Sequence, residues 1–296
     1  MPLGLAWLMQ LPLLPHNTEN NTNMTEATFP PFDFEAGEVL LLDKPLTWTS
    51  FDVVRKVKNT LRINKIGHAG TLDPLATGLL ILCTGKKTKQ IDLIQAQEKE
   101  YTGTFRLGQT TPSFDLETPV DAELPFEHVA EAAIRAATAP FTGLIEQTPP
   151  LFSAVKVNGE RAYEVARRGE EAVIKSKQVT IKEFTITRVA LPEVDFRVVC
   201  SKGTYIRSLA RDFGAALGCG AHLTKLVRTR IGDYTLAEAL NMEQIEALRP
   251  ARPQGAPDRP PRPQRQHRPE RRAGLEYYNA TNVAPEPDIN SENTPT

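Results

Sequence analysis

The loop GHAGTLDPLATG, at residues 67–78, holds a carboxylate where it could do chemistry. Asp73 stands between Leu72 and Pro74, and the proline fixes its own φ while it keeps Asp73 out of the helical region. The surrounding glycines let other backbone approach closely. A carboxylate held rigidly in this way can act as a nucleophile and divide one hard reaction step into easier ones. Considered alone, however, a single loop aspartate is more often a turn former or a helix cap.

The segments around this loop predict elements that could hold it in place. VLLLD at residues 39–43 predicts a strand, and Ser50 is expected to cap the helix that follows it. GLLILCTG at residues 78–85 predicts a buried strand, and YTGTFRLG at residues 101–108 alternates as a half-buried strand does. The glycine-rich segment at residues 62–78 is expected to be a long loop, and such loops often carry function.

The rest of the central region mixes strands and helices without a βα repeat, which predicts an α+β domain. The expected elements are a short helix at 86–95, a helix near 127–138, a strand, Asn-Gly turn and helix at 152–169, strands near 178–189 and 193–201, an amphipathic helix at 204–218, a strand near 222–231 and a short helix near 241–248.

Composition divides the chain into three regions. Residues 1–36 contain four acidic residues and no Lys or Arg, and their apolar start is too short for a bilayer and lacks the basic residues of a secretory signal. Residues 249–272 contain eight Arg and seven Pro, with almost nothing to bury. We expect a disordered or non-native extension at 1–36, with Met24 as a candidate start, a folded domain at 37–248, and disorder at 249–296.

Charge and cysteine content restrict the classes of function. The net charge of −1 leaves the central region nearly neutral, so any RNA binding must come from a local basic face. The three cysteines, an odd number without CxxC spacing, predict a reducing, cytoplasmic compartment and neither a disulfide framework nor a zinc site. The segment TGKKT at 84–88 is no P-loop, because the preceding glycine lies seven residues before Gly85 rather than five.

Four segments together resemble the bacterial TruB family, the tRNA pseudouridine synthases of the T-loop. They are the opening VLLLDKPLTWTSFDVV at 39–54, the loop at 67–78, QTPPLFSAVKVNGERAYEVARRG at 147–169, and CSKGTYIRSLARDFGAALGCGAHLTKLVRTRIGDY at 200–234. The resemblance covers about 37–247 in the family's order. It implies the pseudouridine synthase fold, with a mixed, mostly antiparallel sheet flanked by helices. It also implies isomerisation of uridine-55 in tRNA without metal, nucleotide or other cofactor.

The resemblance assigns three catalytic residues. Asp73 would be the nucleophile, and Arg207, in KGTYIR, would be its basic partner, since guanidinium stays charged and can orient a carboxylate through two bonds. Tyr101, in KEYTG, would stack on the flipped uracil or assist proton transfer at C5.

Five further residues are implied at the substrate or the RNA. Tyr205 and Leu226 would line the pocket, His68 would fill the space left by the flipped base or contact a phosphate, and Lys44 would shape the pocket floor. Arg228 belongs to a set of basic residues expected to face phosphate groups. The expected partner is the T-arm of tRNA, bound by a monomer that contacts no membrane.

The C-terminal region departs from the family's pattern. Many bacterial members carry an RNA-binding PUA domain there, whereas this chain has a Pro/Arg-rich segment, so we expect no ordered PUA domain. Two alternatives stay open beside the synthase reading: a non-catalytic RNA-binding protein that helps tRNA fold, and a synthase that acts on another RNA.

Overall fold

The computed structural model describes residues 32–153, 155–157, 159–168 and 173–250. The N-terminal extension lies outside these ranges up to residue 31, and the C-terminal segment from residue 251 onward lies outside them too. Residues 32–36 and 249–250 of the two segments expected to be disordered lie inside the described ranges, and residues 34–36 form a turn. The rest of both segments, and the expected absence of a PUA domain, concern residues outside those ranges.

Thirteen strands and six helices occur in the described residues. The strands are β1 Val39–Lys44, β2 Ile66–His68, β3 Ala76–Thr84, β4 Lys99–Leu107, β5 Gln109–Thr110, β6 Ala122–Glu123, β7 Gly143–Gln147, β8 Lys156–Val157, β9 Glu160–Arg161, β10 Lys177–Ala190, β11 Glu193–Cys200, β12 Ala221–Ile231 and β13 Tyr234–Thr235. The helices are α1 Ser50–Thr60, α2 Ile91–Ala96, α3 Glu131–Ala136, α4 Ala162–Arg167, α5 Ile206–Ala216 and α6 Met242–Ala247.

One nine-stranded sheet forms the centre of the fold. Its main path runs β1-β3-β12-β4-β11-β10-β7, with β2 paired to β3 and β13 paired to β12. Only the β3–β12 pairing is parallel, and it aligns Leu226 with Ala76 and Arg228 with Gly78. The expected α+β class with a mixed, mostly antiparallel sheet is confirmed. The parallel pair matters for the site, because it places the strand that follows the Asp73 loop directly beside β12.

The N-cap of the first helix lies one residue earlier than expected. Thr49 is the N-cap of α1, and it forms a reciprocal capping box with Asp52. Ser50, expected in that role, is buried and hydrogen-bonds the backbone of Leu72 instead. The expectation for Ser50 was wrong because both hydroxyls precede the same apolar stripe, and only the tertiary contact distinguishes them.

Two other helices are shorter than their sequence patterns suggested. The helix expected near 127–138 is only the six-residue α3, and the one expected at 86–95 is a 3₁₀ turn at Gly85–Gln90 followed by α2. Weakly amphipathic segments of this length gain little from propensity, so packing decides where they end.

The helix α5 is anchored by an aromatic cluster on one face of the sheet. Phe213 of α5 is buried against Phe105 and Phe184, with ring centroids 5.6 and 5.5 Å apart. Phe105 in turn stacks on Phe196 at 4.1 Å. Full burial of a phenylalanine side chain stabilises the fold by about 1.5–3 kcal/mol. This cluster therefore fixes the axis of the helix that carries Arg207.

No helix within the described ranges combines the length and apolar character that crossing a bilayer requires.

Candidate active site

The Asp73 loop is tied to the start of α1 on one side. Ser50 Oγ accepts a hydrogen bond from Leu72 N at 2.9 Å and donates one to Leu72 O at 3.2 Å. Thr47 N donates to Pro74 O at 2.8 Å. The residues immediately before and after Asp73 are therefore both held by the loop that leads into α1.

Lys44 supports the same loop from below. Its buried ammonium donates to Pro45 O, Trp48 O and Pro74 O at 2.8, 2.7 and 3.2 Å, which engages all three of its protons. Burial lowers the pKa of Lys44 to about 8, although the Asp73 carboxylate opposes this shift. The expected place at the pocket floor fits these contacts, but a direct contact with RNA does not.

Arg228 binds the backbone on both sides of Asp73 from the protein interior. It is 1% exposed, and its guanidinium donates to Leu79 O at 2.8 Å, Gly70 O at 3.1 Å and Thr71 O at 3.2 Å. Gly78 lies beside it at φ +95°, and a Cβ there would come within 2.4 Å of the Arg228 carbonyl. The structure thus places Arg228 away from any phosphate-facing surface, since three backbone carbonyls already bind its guanidinium.

Arg207 and Asp73 form an ion pair at the centre of the site. Arg207 Nη2 lies 2.9 Å from Asp73 Oδ2, and the arginine side chain is 4% exposed whereas that of the aspartate is 40% exposed. Burial alone would lower the pKa of Arg207, but the Asp73 and Asp115 carboxylates raise it by more than burial lowers it. The guanidinium therefore stays charged, and the carboxylate it holds faces solvent.

Asp115 is a functional candidate that the sequence reasoning missed. Its Oδ2 lies 3.4 Å from Arg207 Nε, so the guanidinium sits between two carboxylates. Burial raises the pKa of Asp115 to about 6, against the lowering effect of Arg207. The available signal was an aspartate within a Thr-, Ser- and Pro-rich run directly after the strand that carries Tyr101.

The loop that carries Asp115 is built with internal constraints. Thr111 Oγ1 and Ser113 Oγ both donate to the Asp115 carbonyl, at 2.7 and 3.1 Å. Phe114 adopts a φ of +63°, which is unusual for a bulky side chain, and its carbonyl accepts a hydrogen bond from Leu223 N at 2.9 Å. Strained backbone of this kind persists only where its surroundings enforce it, and it concentrates at functional sites.

One cavity brings together three of the eight expected site residues, Asp73, Arg207 and Leu226. Its lining includes Asp73, Asp115, Arg207 and Leu226, together with Leu75, Ala76, Leu116, Leu223, Thr224 and Lys225. Leu226 is a neighbour of Ala76 through the parallel strand pair, which explains why it reaches the Asp73 loop. The carboxylate, its cation and an apolar wall thus meet in one place.

Tyr101 and Tyr205 approach this centre from two elements. Tyr101 lies on β4 directly opposite Arg228 of β12, and burial raises the pKa of its hydroxyl while Arg228 opposes that shift. Tyr205 is the N-cap residue of α5, and burial also raises its pKa. The ammonium of Lys177 lies 4.6 Å from the centroid of the Tyr205 ring.

His68 lies on β2 outside the lining of the Asp73 cavity. Burial, and then the charge of Arg228, lower the pKa of its imidazole, so the ring is neutral at physiological pH. Its Nδ1 is buried without a hydrogen-bond partner. Because Nδ1 is buried, it is not available for the expected contact to the RNA, and the role of His68 stays a prediction.

Comparison with known proteins agrees with this geometry. The family model for the TruB family pseudouridylate synthase N-terminal domain matches residues 58–206, and that for the tRNA pseudouridylate synthase B C-terminal domain matches residues 207–254. Proteins named tRNA pseudouridine synthase B from Flavobacterium johnsoniae and Parabacteroides distasonis are 58% and 56% identical to the chain. Their alignments cover 73% and 72% of this chain and 97% and 94% of the relatives.

A solved structure shares the fold. The chain is similar to a protein in a crystal structure of a Cbf5-Nop10-Gar1 complex, with a TM-score of 0.55 and 32% sequence identity. The match covers 71% of this chain and 53% of that one, so only about half of the larger protein is represented here. With both family models matched in order and close relatives aligned over nearly their whole length, the chain belongs to the TruB family of pseudouridylate synthases.

Proposed function

We propose that the protein isomerises uridine-55 in the T-loop of tRNA to pseudouridine, with Asp73 as the nucleophile. The observation that carries this proposal is the partly exposed Asp73 carboxylate, held at 2.9 Å by the buried Arg207 at the edge of one cavity. The relatives' name, tRNA pseudouridine synthase B, supports tRNA as the substrate.

The reaction is an isomerisation in which atoms balance without a co-reactant. The N1–C1′ bond of uridine breaks, a C5–C1′ bond forms, and the hydrogen on C5 leaves as a proton while N1 gains one. A bond from an Asp73 oxygen, to the ribose or to the uracil ring, would hold one fragment while the base turns. This chemistry requires a carboxylate at Asp73, and the adjacent guanidinium holds that side chain at 2.9 Å.

Arg207 is positioned for this task by its second carboxylate. Asp73 pairs with Nη2 at 2.9 Å, and the Asp115 carboxylate lies 3.4 Å from Nε, an ion-pair distance without a hydrogen bond, so the guanidinium is attracted from two sides. Asp115 itself is buried and does not need to contact the substrate. We therefore assign it a positioning role.

The aromatic and apolar residues would receive the base. A base reached by such an enzyme must leave its stack, at a cost of a few kcal/mol. Leu226 and Tyr205 would pack against the flipped uracil, Tyr101 would assist the proton transfer at C5, and His68 would occupy the space left in the T-loop or contact a phosphate. Lys44 and Arg228 would act on the loop backbone, as their carbonyl contacts indicate.

We further propose that the protein acts in the cytoplasm as a monomer on the T-arm, without a cofactor. The test is pseudouridine formation on an unmodified tRNA transcript, with wild type compared to Asp73→Asn. Loss of the nucleophile should reduce the rate by ~10⁴-fold or more. Folded wild type that binds tRNA but forms no product would contradict the proposal and favour the RNA-folding alternative or another RNA substrate.

A further inference from the structure

Gln147 is a buried polar residue at the end of β7, an edge strand of the central sheet. Its side chain has no role in the proposed reaction, and the residue is only 1% exposed. The amide nitrogen Nε2 donates to Tyr205 O at 3.1 Å, and Oε1 accepts from Tyr205 N at 2.8 Å. The nitrogen and the oxygen of one side-chain amide therefore both hydrogen-bond the backbone of a single residue.

The partner of that amide is the residue from which α5 begins. Tyr205 is the N-cap of α5, and its own side chain makes no capping hydrogen bond. A helix end without a cap is normally free to fray within its first turn. Here Gln147 binds the N-cap backbone from outside the helix, which fixes the point where the first turn starts.

The first turn of α5 carries the cation of the site. Arg207 follows Tyr205 by two residues, and its guanidinium reaches Asp73 at 2.9 Å and Asp115 at 3.4 Å. A shift of the N-cap would move the Arg207 backbone with it. A displacement of about 1 Å would lengthen the 2.9 Å contact beyond hydrogen-bond range, or carry the already long 3.4 Å contact beyond ion-pair range.

The residue after Gln147 binds the next turn. Thr148 O accepts a hydrogen bond from Ser208 Oγ at 2.8 Å and another from Arg211 Nη2 at 3.3 Å. The end of β7 thus contacts the first two turns of α5 through one side chain and one carbonyl. Of these contacts, only the Gln147 amide meets the helix before Arg207.

We propose that Gln147 is a positioning residue of the isomerase, whose amide sets the start of α5 so that Arg207 meets Asp73. This inference rests on the proposed function, since its effect is on the rate of that reaction. This role requires a side chain at position 147 that donates one hydrogen bond and accepts another at the same time. Leucine offers neither function, and an ionised glutamate offers only acceptors, one of which would face the Tyr205 carbonyl.

The test compares Gln147→Leu and Gln147→Glu with wild type in single-turnover assays, with enzyme in excess and tRNA saturated. We expect the rate constant to fall by about 30–100-fold for Gln147→Leu and about tenfold for Gln147→Glu, because small misplacements of catalytic groups cost up to about 10²-fold. The tRNA dissociation constant should stay within about twofold. Gln178→Glu, the same change at an exposed position on β10, is the matched control and should react like wild type.

A double-variant cycle separates positioning from a general loss of structure. If Gln147 acts through Arg207, then adding Gln147→Leu to Arg207→Lys should lower the rate by no more than about threefold. A full, multiplicative loss in that background would overturn the inference, as would a Gln147→Leu rate within twofold of wild type. An inactive wild type would overturn the proposed function and this inference together, whereas an active wild type with unaffected variants overturns this inference alone.

Discussion

Arg207 Nη2 and Asp73 Oδ2 lie 2.9 Å apart, and the two side chains belong to opposite environments, 4% and 40% exposed. The buried partner is the one that cannot lose its charge, and the exposed partner is the one that we propose as the nucleophile. This division resolves a conflict between two requirements. A nucleophile has to be open to substrate, while its orienting cation works best where water is excluded.

Arg207→Lys should lower the single-turnover rate by about 10²–10³-fold at saturating tRNA. Lysine keeps the positive charge but is a point charge, so it cannot hold Asp73 and Asp115 through different nitrogens of one rigid plane. The measurement is pseudouridine formation with enzyme in excess. The exposed Arg62→Lys serves as the control for the same chemical change. Equal rates for Arg207→Lys and wild type would contradict a role in which the guanidinium contacts two carboxylates through different nitrogens.

Asp115→Asn should change stability in a pH-dependent way. The folded pKa of Asp115 is raised to about 6 from an ordinary value of 3.8, so between these values the folded state holds a proton that the unfolded state has lost. Wild-type stability attributable to Asp115 therefore falls as pH rises from about 4 to 6, by an amount on the order of 3 kcal/mol.

Asparagine does not ionise, so the Asp115→Asn variant lacks the fall in folding stability that the aspartate causes as pH rises. The melting temperature of Asp115→Asn, taken relative to wild type, should increase from pH 4.5 to pH 7. Taking the difference between the two proteins cancels the titration of distant groups such as His222. A difference that stays constant over this range would show that Asp115 is ionised in the folded protein throughout.

The same variant should also react more slowly at pH 7, because Arg207 loses one of its two carboxylates.

Arg228→Met should destabilise the fold more than it weakens RNA binding. Three backbone carbonyls would lose their buried donor, which costs about 3–5 kcal/mol in total. For a chain of this length such a loss lowers the melting temperature by roughly 6–20 °C. The salt dependence of tRNA binding, measured on the folded protein at low temperature, should keep the wild-type slope. A slope reduced by about 1 would instead assign Arg228 to a phosphate.

Ser50→Ala and Thr49→Ala should have different consequences although the residues are adjacent. Ser50 holds both backbone groups of Leu72, directly before Asp73, whereas Thr49 only caps α1. We expect each change to cost about 1–2 kcal/mol in urea unfolding. Only Ser50→Ala should slow single-turnover catalysis, by about tenfold. A comparable slowing by Thr49→Ala would mean that the helix, rather than the Leu72 contact, positions Asp73.

The sequence by itself determined the class of the fold and the identity of the reactive loop. The alternation in YTGTFRLG and the apolar run GLLILCTG mark β4 and β3 at nearly their true bounds, because strand patterns are local. The four segments that resemble the TruB family named Asp73 and Arg207 as partners, although they lie 134 positions apart. Such pairing follows from the resemblance and not from any local signal.

Only the tertiary structure decided what the buried polar residues do. The resemblance implied Lys44 at the pocket floor, and Arg228 was expected to face phosphate groups, yet both are enclosed by backbone carbonyls that a sequence cannot place. Asp115 had only a weak sequence signal and Gln147 had none, and their contacts became visible only where the fold placed Asp115 beside Arg207 and the end of β7 beside the start of α5. A polar side chain's role depends on which unsatisfied groups the fold puts beside it, and that is a property of three-dimensional neighbours rather than of spacing along the chain.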